Sequence, residues 1–120
     1  MTFQLAEAFV TLAAVNFEEL VDFYTNLFKQ IPTVHTPNVY AEFQLPGLRL
    51  GIFRPTRHEQ EFESNCGGMS LCLEVNDLEG AIAHLTSLGY PPPGKISTAS
   101  HGREIYAYDA AGNRLILHQS

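Results

Sequence analysis

The stretch Asp109-Ala110-Ala111-Gly112-Asn113-Arg114-Leu115-Ile116-Leu117-His118 reads as a tight turn feeding a short strand. Asp109 and Gly112 supply the turn chemistry, since glycine takes positive φ without steric penalty. From Arg114 onward polar and apolar residues partly alternate, offering Leu115 and Leu117 to one face. An earlier stretch, Pro46-Gly47-Leu48-Arg49-Leu50-Gly51-Ile52-Phe53, echoes it with Gly, Arg and Leu at matched places and Ile52 opposite Leu117. Two such hairpins predict two copies of one module.

The residues before each hairpin support the repeat. Phe9 to Ala14 reads as a strand, and Asn16, with Glu19 three residues on, reads as a capping-box start to a helix. Phe17, Leu20, Val21, Tyr24, Leu27 and Phe28 form its apolar stripe, and Pro32 is expected to close it. Thr33 to Thr36 is a short strand. Val39 to Leu45 alternates, turns at Pro46-Gly47 and returns as Leu48 to Phe53. A two-residue turn sets Tyr40 against Phe53, Glu42 against Gly51 and Gln44 against Arg49. Ala41, Phe43, Leu45, Leu48, Leu50 and Ile52 then share the apolar side; a slip of one residue would reverse every assignment.

In the second half, Ser70 to Val75 is an alternating strand. A helix capped by Asp77, or by Asn76 with Glu79, carries Leu78, Ala81, Ile82, Leu85 and Leu88, and Gly89 ends it. Leu78 follows Phe17 by 61 residues, so the helices repeat in phase. Lys95 to Thr98 is a weak strand, and Arg103 to Tyr108 pairs with the last one. The predicted fold class is α+β: one domain with a strand, a helix and up to three strands in each of two modules, about 7–53 and 69–118. The polar segment 54–68 is a linker, and its His58, Glu59, Glu61 and Glu63 read as solvated charges rather than a metal cluster. A helix covers one face of each sheet, leaving a semi-polar face that suits a lined cavity.

Bulk properties narrow the function. The 120 residues carry a net charge of −6, from 13 acidic and 7 basic side chains, with no Lys/Arg cluster. Nucleic acid is therefore not an expected partner. Cys66 and Cys72 make no disulfide framework, and Cys72 is expected to be a small buried residue. No basic leader precedes an apolar segment, and no apolar run nears the ~20 residues of a membrane span. A cytoplasmic protein without a membrane partner is the expectation.

Val10-Thr11-Leu12 leading through Asn16-Phe17-Glu18 to Phe23-Tyr24, then Leu73-Glu74-Val75-Asn76-Asp77-Leu78-Glu79, then Asp109-Ala110-Ala111-Gly112-Asn113-Arg114, together resemble the vicinal oxygen chelate superfamily. That group includes glyoxalase I, extradiol dioxygenases, fosfomycin-resistance enzymes and bleomycin-resistance proteins. The resemblance covers the whole chain and implies two βαβββ modules whose sheets curl around a cleft, helices outside. Metal-dependent members hold a divalent ion through His, Glu or Gln at four places, which fall here on Phe9, Gly51, Ser70 and Ile116. None is a good ligand, so no metal or other cofactor is expected. A rebuilt set of Glu42, Glu74 and His118 is the alternative.

By alternation the cleft is lined by Phe9, Thr11, Tyr40, Glu42, Gln44, Arg49, Gly51, Phe53, Ser70, Cys72, Glu74, Glu104, Tyr106, Tyr108, Ile116 and His118. Its rings and carboxylates suit a planar, weakly cationic molecule. The first expectation is a metal-free small-molecule-binding protein, similar to the bleomycin-resistance branch and acting as a homodimer. An enzyme of the same fold (a glyoxalase-like lyase, isomerase or dioxygenase) is the second, either metal-free with His118 or Glu42 as base beside Tyr106 or Tyr108 or, as its weaker version, dependent on a metal at the rebuilt set; a protein-interaction module is the third.

Overall fold

The structure is a computed structural model and describes residues 3–56 and 68–120. The expectations for Cys66, for His58, Glu59, Glu61 and Glu63, and for most of the 54–68 linker, lie outside those residues. The first module runs β1 (Val10–Ala13), α1 (Phe17–Phe28), β2 (Val34–Thr36), β3 (Tyr40–Leu45) and β4 (Leu48–Phe53). The second runs β5 (Leu71–Glu74), α2 (Leu78–Ser87), β6 (Ser97–Ala99), β7 (Gly102–Tyr108) and β8 (Arg114–Gln119). Each forms a four-stranded mixed sheet, ordered β1-β4-β3-β2 and β5-β8-β7-β6. The first strand of each module lies parallel to its last, and the other pairs are antiparallel. Both β1 and β5 are edge strands.

The first hairpin has the register its pattern demands, with Tyr40 opposite Phe53, Glu42 opposite Gly51 and Gln44 opposite Arg49. Ala41, Phe43, Leu50 and Ile52 are consequently buried, as are Ile105, Ala107, Leu115 and Leu117 of the second sheet. The helices close over these faces with Phe17, Leu20, Val21, Phe23 and Tyr24 of α1 and Leu78 and Leu85 of α2, giving one continuous core. Phe23 meets Tyr90 edge-on at 4.9 Å, so α1 of one module touches the exit of α2 in the other.

Several element ends differ from expectation. Helix α1 stops at Phe28 because Lys29 turns left-handed (φ 54°) and its N–H bonds the Thr25 carbonyl, three residues before Pro32. Asn16 occupies the N-cap position, but its ψ of 67° leaves the side chain without a cap bond. Asp77 does cap, accepting from the Gly80 N–H at 3.1 Å. Strand β6 begins at Ser97 rather than Lys95, since the Pro91–Pro93 corner delays the approach to β7. Gly89, at φ +96°, stops α2 as expected: its N–H bonds Thr86 and the Tyr90 N–H bonds Leu85.

Asp109 joins the two modules. Its carboxylate, only 3% exposed, accepts the Ala111 and Asn113 N–H groups, the Asn113 amide and, at 2.6 Å, the Tyr24 hydroxyl. Burial, then the adjacent Asp109 charge, push the Tyr24 hydroxyl well above its ordinary pKa and keep it a donor.

Candidate functional site

Pleating sends every second residue of each sheet away from the helices. On the first sheet this face centres on Gly51, flanked by Thr11 of β1 and Glu42 of β3. Tyr40 reaches across and donates to Glu42 at 2.7 Å. A Cβ on Gly51 would meet the Tyr40 hydroxyl at 2.8 Å and the Thr11 methyl at 3.2 Å. The missing side chain is therefore the space the tyrosine occupies. Shielding from water, then the Glu42 carboxylate, raise the Tyr40 pKa. Arg49 lies 3.9 Å over the Phe9 ring and donates to Glu7 at 2.9 Å. Its Nε is 3.8 Å from Glu42. Phe53 ends the row, half-buried.

On the second sheet the corresponding face carries Cys72, Ile116 and Tyr106 in one row and Glu74, His118 and Glu104 in the next. Tyr106 and Tyr108 are 51% and 38% exposed. Arg114 donates through Nε to the Ser70 hydroxyl at 2.6 Å, and to the Met69 carbonyl. Glu74 accepts from His118 Nδ1 at 2.6 Å and from both the backbone and the hydroxyl of Ser120. The Ser120 hydroxyl, then His118, hold its carboxyl at about 2. Cys72 is exposed, not buried, because Leu71 and Leu73 take the core-facing positions of β5. Partial shielding of its sulfur, then Glu104 and Glu74, push the thiol up.

His101 was not among the expected site residues. It sits in the turn before Gly102, with its ring 5.2 Å from that of His118. His101, Glu104 and His118 each bring a donor atom within 4.8 Å of the others. The turn is tight: Gly102 has φ +133°, and a Cβ there would strike the backbone of Gln119.

The lining falls on two sheets, one in each module. The hydrogen bonds and ion pairs described above link these side chains to partners of their own module. The rebuilt set of Glu42, Glu74 and His118 is split accordingly: Glu74 bonds His118, whereas Glu42 belongs to Tyr40 and Arg49. The cavity between the modules, about 500 Å³, is a different place. Leu27, Phe28, Leu45, Leu73, Val75 and Leu85 make it mainly apolar, and of the expected lining it takes Cys72 and Glu74.

The four superfamily metal positions do not fit a divalent ion. Phe9 offers a ring already covered by Arg49, and Gly51 offers no side chain. The Ser70 hydroxyl is held by Arg114, and Ile116 is a hydrocarbon. Hard or borderline cations need convergent N and O donors.

No family profile and no curated protein sequence matches the chain. Solved structures do. A glyoxalase-related enzyme from Fulvimarina pelagi superposes with TM-score 0.77 at 20% identity, over 97% of this chain and 89% of that one. A glyoxalase/bleomycin resistance protein from Catenulispora acidiphila gives 0.71 at 21%, over 94% and 96%. A genomically encoded fosfomycin resistance protein from Listeria monocytogenes gives 0.77 at 16%, over 98% and 95%. The chain has the paired-βαβββ fold of the vicinal oxygen chelate superfamily. At these identities the likeness establishes fold and leaves the chemistry to the residues.

Proposed function

We propose that the chain is a small-molecule-binding protein whose cleft is assembled in a homodimer, the polar face of β1–β4 in one copy meeting that of β5–β8 in the other. The observation that carries this reading is the adjacent pair Tyr106 and Tyr108, exposed on the open face beside Glu104. Two outward phenols next to a carboxylate give stacking and cation–π surface for a planar, weakly cationic ligand. The first sheet contributes a prearranged wall. There Arg49 already covers Phe9 and Tyr40 already bonds Glu42, so that wall shapes the cleft while the tyrosines of β7 supply the open rings. Edge strands β1 and β5, each paired on one side, provide the seam along which two copies meet.

Binding of ethidium, a planar aromatic cation, against fluorescein, a planar anion, tests the ligand class by thermal shift and titration. Ethidium is expected to bind more tightly. Tyr106→Ala and Tyr108→Ala are each expected to weaken it by about tenfold, corresponding to ~1.4 kcal/mol. Unchanged affinity in both variants contradicts the proposed lining.

A further inference from the structure

We propose that His101, Glu104 and His118 form a site for a divalent transition-metal ion of the zinc class on the open face of the second sheet, with Glu74 as the residue that orients His118. This goes beyond the ligand-binding reading, with which it shares Glu104, and its test reads metal binding alone. None of the three donors occupies the superfamily's four positions, which fall on Phe9, Gly51, Ser70 and Ile116.

The backbone places the set. Glu104 and His118 are cross-strand partners on β7 and β8, so their side chains leave the sheet together. The β6–β7 turn brings His101 over them, its ring tilted at 71° to that of His118. One donor atom from each residue lies within 4.8 Å of the other two. Metal bonds of about 2.0–2.1 Å would draw such donors to roughly 3.3 Å apart. The adjustment falls on His101, which is the exposed member of the three.

His118 is prepared as a ligand. Its Nδ1–H donates to Glu74 at 2.6 Å, and in the neutral ring that contact leaves the lone pair on Nε2. That Nε2 is buried and has no hydrogen-bond partner among the described residues. A buried ring nitrogen without a partner costs free energy unless something binds it. A carboxylate behind a histidine is also the arrangement that fixes tautomer and raises basicity in metal sites. The donors are two neutral imidazoles and one carboxylate, and Glu74 adds a second negative charge behind them. This set suits a borderline dication such as Zn²⁺ or Co²⁺, and three protein ligands leave a position open to water or to an oxygen-bearing ligand.

Co²⁺ titration of EDTA-treated full-length protein, followed by visible ligand-field absorption and native mass spectrometry, tests the site. One Co²⁺ per chain is expected, displaced by Zn²⁺. His101→Ala and Glu104→Gln should each abolish the visible band while the metal-free melting curve stays near that of the parent. Glu74→Gln keeps all three ligands and is expected to bind about 10–100-fold more weakly. No bound Co²⁺ in the parent protein, or equal stoichiometry and affinity in both His101→Ala and Glu104→Gln, overturns the proposal.

Discussion

Two residues decide more than their size suggests. Asp109 gathers four hydrogen bonds, one of them from a tyrosine in the other module. Tyr24→Phe removes one donor from a buried carboxylate and is expected to cost about 2 kcal/mol, read from urea midpoints. Asp109→Ala should cost more, since it strands the Tyr24 hydroxyl and the turn N–H groups together. Gly51 is small because Tyr40 fills its space. Gly51→Ala should push the hydroxyl off Glu42 and return the Tyr40 pKa toward 10.0, seen by ultraviolet titration of the phenol. An unchanged titration would place the tyrosine elsewhere. The glycine was legible in the sequence as a lost ligand position. Its occupant was not, because the contact is diagonal across two strands.

Secondary-structure elements were readable wherever one periodicity acted alone. The β3–β4 register followed from a two-residue turn and a strict apolar alternation, and every expected pair is present. Helix ends were less legible, because Asn16 and Asp77 look alike in sequence and differ only in backbone torsion. The difference has a measurable consequence: Asp77→Ala should cost about 1 kcal/mol of stability, while Asn16→Ala should fall within a few tenths. The ion pair between Glu79 of α2 and Arg103 of β7 adds a pH dependence. Arg103 hydrogen bonds hold the Glu79 carboxyl at about 2, below its ordinary 4.5. Its contribution is therefore present above about 4.5 and lost as pH falls from there toward 2. Urea midpoints of the parent should drop between about pH 5 and pH 3, and drop less in Glu79→Gln.

At the scale of the whole molecule, the repeat in sequence became two sheets and two helices packed into one core, with β1 and β5 left as open edges. Which residues line each polar face was legible from alternation. How the faces would meet in the proposed dimer was not, since nothing in a single chain's pattern encodes a contact with a second copy. His101 escaped notice for a related reason: it lies in a turn, where periodicity carries no information and only tertiary placement brings it to Glu104 and His118. The central claim is that each cleft takes one sheet face from each of two chains. Subunit mixing tests it most directly. A first-sheet variant, Tyr40→Ala, and a second-sheet variant, Tyr106→Ala, are each titrated with ethidium, then unfolded together, refolded and titrated again, with native mass spectrometry reporting dimers. The account predicts that mixing restores parental affinity at about one quarter of the sites, because half of the random dimers pair both unaltered faces once. Monomers, or dimers in which mixing restores no parental site although each variant binds weakly, would contradict it.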